Sequence, residues 1–311
     1  MRRDRLFSRL RALAATASLL CLAALPPAAR AWGNEGHRLI NRLAAETLPS
    51  EVPAFLRSPD AIREIEYLGP EPDRWRSAAE PELSAAQAPE HFIDLELADA
   101  LGPLPHQRLE FEARVFASGQ QPEKVGLQPW EATEVWERLK SALREYRALK
   151  AAGQDTRAVE EVAIFYAGWL GHYVGDGSQP LHTTIEYNGW VGPNPNDYTT
   201  EHDIHGQFEA TYVAANILPK DFAGLVKAPE HLDDPFAQYV SYLRDSNKLV
   251  DDVYALHKAG GFTGRGAAAA FDFTTRRLAA GSQMLLNLWY TAWVDSANAV
   301  PEHGSQPTAK K

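Results

Sequence analysis

Two four-residue spacings between an imidazole and a carboxylate carry most of the chemistry in this sequence. In Gly171-His172-Tyr173-Val174-Gly175-Asp176-Gly177-Ser178-Gln179-Pro180-Leu181-His182, His172 and Asp176 stand four apart. On a helix they project from one face and can reach one ion. Gly177 and Pro180 should end that helix and swing His182 back toward the same region. The arrangement recurs downstream in His205 and Glu209. A lone histidine on a helix face is most often a satisfied core residue, but two histidines and an aspartate within eleven residues point to a metal. Imidazole and carboxylate are the ligands zinc takes where no thiolate is on offer. His202, one turn before His205, reads as a supporting or surface residue, with a ligand role as the alternative.

The beginning of the chain is an address label. Arg2, Arg3, Arg5, Arg9 and Arg11 precede an apolar run from Leu13 to Leu25, and Ala29-Arg30-Ala31 supplies a small-x-small cleavage signal. The run is too short for a permanent span, which needs about 20 apolar residues, so residues 1–31 read as a signal peptide and the mature chain as exported, periplasmic or secreted, starting at Trp32. The single cysteine, Cys21, lies in the leader, so any metal site in the mature chain is built from His, Asp, Glu and the terminus. Cleavage leaves 25 Lys+Arg against 40 Asp+Glu and moves the net charge from −10 to −15. That excludes a basic surface that coats duplex backbone. A nucleic-acid substrate is still allowed, because ions buried in a cleft add positive charge that the formal count omits. The liberated amine of Trp32, with a pKa near 8, is easily deprotonated by a divalent ion and can chelate together with its own carbonyl. His37, five residues on, can close on the same ion.

These residues need a scaffold, and apolar residues recurring three and four apart predict one that is helical almost throughout. The predicted helices cover about 37–48, 106–118, 130–151, 156–175, 200–216, 235–258 and 266–297. Loops are expected where Pro and Gly collect, at 69–89, 103–105 and 188–198. One domain over 32–299 and a polar, disordered tail over 300–311 complete the expected organisation. Phe271, Leu278, Met284, Leu285, Leu288, Trp289 and Trp293 form the core face of the last helix, and Trp130, Trp136 and Trp169 read as core as well.

The start Trp32-Gly33-Asn34-Glu35-Gly36-His37, the block from His172 through Gln179-Pro180-Leu181-His182 and the later His205-x-x-x-Glu209 together resemble the superfamily of zinc-dependent phospholipase C and the S1/P1 nucleases. The resemblance implies an all-α, single-domain fold with a trinuclear zinc cleft. It assigns one ion to the Trp32 amine and carbonyl with His37. It gives a second to Asp73, His91 and His172, with Asp176 bridging the two, and a third to His182, His205 and Glu209. The bridged pair would acidify a water from a pKa of 15.7 to roughly 7, and Arg76, three residues after Asp73, would hold a nonbridging phosphate oxygen. His91-Phe92-Ile93-Asp94 resembles the nucleases' His-aromatic-x-Asp, in which Phe92 stacks a base and Asp94 hydrogen-bonds it.

The Trp32–His37 spacing, Asp73-x-x-Arg76, the 23-residue interval from His182 to His205 and the Phe92/Asp94 pair favour a single-strand-preferring endonuclease on DNA or RNA, with accompanying 3′-nucleotidase activity. Glu209 in place of an aspartate, the lack of a Gly-Gly-Asn segment within Thr183 to Asn188, and the missing cysteines point toward a phospholipase C on phosphatidylcholine-type lipids. Glu186, Glu201 and Asp203 would then be recruited as an acidic cage for the headgroup. A catalytically silent metal-binding protein is the third alternative. No protein partner is implied, and a monomer is expected.

Overall fold

A computed structural model describes residues 32–299; the leader and the tail from 300 onward lie outside the described residues. Among the described residues there are helices and only two isolated bridges, Ile93 with Gly126 and Tyr187 with Gly189. The fold is all-α, as expected.

The principal helices are α1 (Gly33–Glu46), α2 (Pro59–Leu68), α3 (Glu71–Trp75), α4 (Gln128–Ala151), α5 (Arg157–Ser178), α6 (Pro235–Asn247), α7 (Val250–Lys258) and α8 (Ala268–Asp295). α5 is central and packs against α4, α8, α2, α1 and α6. Its composition explains this position. Gly168, Gly171 and Gly175 lie on the side facing α1 and α2, where a Cβ on Gly171 would stand 1.8 Å from Asn41 Oδ1 and one on Gly175 would stand 2.9 Å from His37 Nδ1. Small residues three and four apart let those backbones approach, and His37 thereby reaches the face that carries His172 and Asp176. On α8, Leu278, Leu285, Leu288 and Trp289 are buried and the other expected core residues half-buried.

The differences from the expected helices have local causes. α1 begins at Gly33, so Trp32 is its N-cap, buried and left-handed at φ 37°. α2 has no counterpart among the expected helices and is started by Ser58, whose hydroxyl accepts from Ala61 N, with Pro59 in the first turn. The expected loop at 69–89 contains α3 and the short helix Pro81–Gln87, each with proline in its first turn, where proline starts a helix instead of breaking it. The expected helix at 235–258 is divided at Lys248 and Leu249. There Ser246 Oγ donates to the Gly177 carbonyl (2.6 Å) and Asn247 Nδ2 to that of Thr183 (2.8 Å), tying the chain to the turn after α5. The run expected at 200–216 starts at Ile204 and passes through a π-helical segment, Gln207–Tyr212.

Candidate metal centre and active site

His172 and Asp176, four apart near the C-terminus of α5, point to the same side, with His172 Nε2 3.4 Å from Asp176 Oδ2. α1 brings His37 against them: its Nε2 is 3.3 Å from Asp176 Oδ1, and its ring stacks on that of His172 at 4.0 Å between centroids. The 3-10 turn Ala88–His91 adds His91, whose Nδ1 is 3.1 Å from Asp176 Oδ2, 2.9 Å from His172 Nε2 and 4.0 Å from Asp73 Oδ1. α3 supplies Asp73 and ends at Arg76, whose guanidinium lies 3.7 Å from Asp73 Oδ1. Asp176 thus faces His37 with one oxygen and His91 and His172 with the other.

A third group forms around the turn that follows α5. His182, on the 3-10 turn Pro180–His182, has its Nε2 3.1 Å from His205 Nε2 and 3.5 Å from Glu209 Oε2, and the His205–Glu209 separation is 3.0 Å. Three sets of buried donors therefore converge: His37, His172 and Asp176; Asp73, His91 and His172; His182, His205 and Glu209.

The protonation pattern tests whether these sets suit a cation. Nδ1 of His172, His182 and His205 lies 2.7–2.8 Å from the carbonyls of Gly69, His91 and Tyr187 respectively. A carbonyl only accepts, so each Nδ1 carries the proton and each Nε2 presents a lone pair. The lone pairs of His182 and His205 then face each other at 3.1 Å, an arrangement that a shared cation turns from repulsive to favourable. Tetrahedral ligands about 2.0–2.1 Å from zinc are roughly 3.4 Å from one another, close to the separations in this third group. Asp73 Oδ2, His91 Nε2 and Glu209 Oε1 are buried and have no hydrogen-bond partner among the described residues, a further sign of an environment prepared for ions.

Electrostatics separate the groups. Burial raises Asp176 to about 8 and Asp73 to about 7, and the neighbouring carboxylates add to it. Burial also drives His91 and His172 far below the ordinary histidine value. In the third group burial opposes ionisation too, yet His205 and His182 hold Glu209 down at about 2, and Glu209 in turn raises His205.

Trp32 is fully buried. Its indole Nε1 donates to the Gly175 carbonyl at 2.7 Å with Ser178 Oγ at 2.9 Å, and its ring meets Phe208 edge-on. The expected first residue of the mature chain is thus anchored by its indole to the end of α5, at the residue before Asp176, and its carbonyl accepts from Gly36 N at 3.0 Å. A cleft of about 540 Å³ opens over the centre, with Arg76, His91, Phe92, Asp94, His182 and His205 in its wall. Phe92 is half-buried, and burial, with Glu96 nearby, raises Asp94 to about 7.

Two of the less-favoured alternatives are not realised. His202 is exposed and its Nδ1 donates to the Asn188 carbonyl at 2.6 Å, so it belongs to none of the three donor sets. The acidic cage is not assembled: Glu186 spends its carboxylate on the amides of Val191 (2.5 Å) and Gly192 (3.2 Å), Glu201 and Asp203 are exposed, and none of the three is in the cleft wall.

Several supporting residues went unread in the sequence. Gln179 Nε2 donates to Glu209 Oε2 (2.9 Å) while its Oε1 accepts from Leu181 N (2.6 Å), so one buried amide fixes both a carboxylate and the turn leading to His182. Gln128 Nε2 reaches the carbonyls of His91 and Tyr173, and Asn41 Nδ2 those of Ile65 and Gly168. Gln179 stands inside the histidine block and could have been singled out; Asn41 and Gln128 have no such signal.

The S1/P1 Nuclease family model matches residues 32–257, from the buried tryptophan through α7. The chain belongs to the S1/P1 nuclease family. That family is one of zinc-dependent phosphodiester hydrolases. Among curated proteins no sequence matches it significantly. Among solved structures it is similar to the Alpha Toxin from Clostridium Absonum, at 13% sequence identity and a TM-score of 0.40, covering 85% of this chain and 66% of the toxin's. The chain thus spans slightly less than two thirds of the toxin's length.

Proposed function

We propose that this S1/P1-family chain is an exported, single-strand-preferring endonuclease that cleaves DNA or RNA and also removes phosphate from 3′-nucleotides. The observation that carries the reading is three converging donor sets under one cleft whose wall includes His91, His182, His205, the Arg76 guanidinium and the Phe92–Asp94 pair. Trp32 with His37, then Asp73, His91 and His172 with Asp176 shared, then His182, His205 and Glu209, would hold three zinc ions. When bound, the ions supply Lewis acidity, acidifying a water to near neutral pKa and neutralising charge at the phosphate.

The chain's own residues do the remaining work. Arg76 offers a planar fork for a phosphate oxygen. Gly69, His91 and Tyr187 carbonyls fix the histidine rings that present Nε2. Phe92 supplies a face on which an unpaired base stacks, and Asp94 an acceptor or, when protonated, a donor for the base edge. Bases in a duplex have no free face, which gives the preference for single strands. The leader over 1–31 delivers a monomer to the periplasm or beyond.

Assaying the mature protein on denatured DNA, RNA and a phosphatidylcholine emulsion, each with and without chelator, tests the reading. Chelator-sensitive turnover of the nucleic acids is expected, and turnover of lipid alone would overturn it. Phe92→Ala should raise KM on single-stranded oligonucleotides about 10-fold, since stacking contributes about 1–3 kcal/mol per base, with little change in bound zinc; an unaltered KM would remove Phe92 from the site. A short extension upstream of Trp32 blocks the amine, and it should lower zinc content from about three toward two per chain and cut the rate. An extended protein with full zinc and full rate would exclude the terminus as ligand.

A further inference from the structure

Gln128, the first residue of α4, is fully buried, and its side chain is spent on two backbone carbonyls. Nε2 donates to the His91 carbonyl at 3.3 Å and to the Tyr173 carbonyl at 3.1 Å. Neither carbonyl depends on it. The His91 carbonyl also accepts from His182 Nδ1 at 2.7 Å, and the Tyr173 carbonyl from the Tyr239 hydroxyl at 2.8 Å. An amide buried where both acceptors already have donors is not there to satisfy stranded groups. It ties two stretches of chain to each other: α5, at the residue after His172, and the stretch that begins with His91.

The His91 peptide serves two donor sets at once. Its ring enters the second set through Nδ1, the ring nitrogen nearer its own backbone, at 3.1 Å from Asp176 Oδ2 and 2.9 Å from His172 Nε2. Its carbonyl fixes the ring of His182, which belongs to the third set. The rest of the stretch is pinned on the same two sides. Gln128 N donates to the Phe92 carbonyl at 3.2 Å and Asp94 N to that of Val125 at 2.8 Å, while Ile93 N donates to the His182 carbonyl at 3.0 Å. A shift of the His91 peptide therefore moves a ligand of the second set and turns one of the third.

We propose that Gln128 is a positioning residue for the third donor set, acting on His182 through the His91 carbonyl although neither of its side-chain hydrogen bonds goes to His182, His205 or Glu209. The inference rests on the three sets holding ions and is the same whether the substrate is a nucleic acid or a lipid. A group that orients a metal-binding histidine contributes about 10- to 100-fold in affinity. Gln128 acts one bond further out, so the low end, about 10-fold, is expected at the third set.

The test replaces Gln128 by Met, which is close to it in length and volume and has no donor. Both carbonyls keep their other donors, so the chelated Gln128→Met protein should melt within a few degrees of the chelated wild type. Mature protein is loaded with an NMR-active cadmium isotope, which gives one resonance per occupied set, and each resonance is followed against a competing chelator. His205→Ala identifies the third-set signal by its loss. Gln128→Met should weaken cadmium at the third set about 10-fold and leave the set built on His37 at its wild-type affinity. Should Gln128→Met fail to fold, Gln128→Asn, one methylene too short to reach both carbonyls, takes its place in the same measurement. An unchanged third-set affinity overturns the proposal, and so does a loss shared equally by all three sets, which would be a general loosening. Failure of both variants to fold when chelated would make Gln128 a core residue and overturn it as well. A wild type that takes up no cadmium would overturn the metal reading along with it.

Discussion

Asp176→Asn is expected to lower kcat by about 10³-fold or more, equivalent to about 4 kcal/mol of lost transition-state stabilisation, without unfolding the protein. Asp176 is fully buried and its two oxygens face different partners, His37 on one side and His91 with His172 on the other. Asparagine matches its shape but offers one acceptor and an NH2 group, which would point N–H bonds where a lone pair must meet a cation. Burial raises the aspartate to about 8 when no ion is present, so the metal-free protein already holds a neutral group there at pH 7. The neutral variant should therefore match the chelated wild type in Tm, and its defect should appear in zinc content and rate together. An Asn variant with both wild-type zinc stoichiometry and wild-type turnover would show that the shared carboxylate has been misassigned.

The candidate ligand residues were readable because helical spacing converts directly into geometry. His172 with Asp176 and His205 with Glu209 needed only a helix to become neighbours, and the π-helical segment at Gln207–Tyr212 still leaves the second pair 3.0 Å apart. The fold class and the core face of α8 followed from the same periodicity. Less was readable where meaning depends on a partner distant in sequence. Gly171 looks like a weak point in a helix until Asn41 is seen against it, 130 residues away. Glu186 looks like a surface charge available to a ligand, but two loop amides occupy it. The backbone carbonyls of Gly69, His91 and Tyr187, which orient three histidines, have no sequence signature at all, because every residue has a carbonyl. Proline was ambiguous for a local reason: it stops a helix from inside and starts one from its first turn, and α2 and α3 fell on the second use.

Chelation is expected to lower Tm by well over 10 °C at neutral pH, and the gap between zinc-loaded and chelated protein should widen from pH 6.5 to pH 8. An ion held at a thousand times its Kd contributes about 4 kcal/mol, and a domain of this size shifts by about 2–4 °C per kcal/mol, so three ions support a large effect. The pH dependence follows from the buried groups. Asp73 and Asp94 are raised to about 7, and Asp176 and Glu90 to about 8, chiefly by burial. Unfolded carboxyls titrate near 4, so between that value and 7–8 the folded, metal-free chain keeps protons that the unfolded chain has released, and stability falls as pH rises. His91 and His172, driven down by burial, act oppositely: the unfolded chain gains their protons below about 6.5, so their destabilising effect fades as pH approaches that value. His205, raised by Glu209, loses its contribution as pH rises, and Glu209, held at about 2, contributes evenly throughout the window. Above pH 6.5 the raised carboxyls therefore dominate and the chelated protein weakens, whereas the loaded protein, whose ligands must be deprotonated to bind, gains affinity over the same range. Thermal melts with zinc and with chelator at the two pH values measure both slopes. A chelated Tm that rises from pH 6.5 to 8 would mean that these carboxyls are not buried together as described.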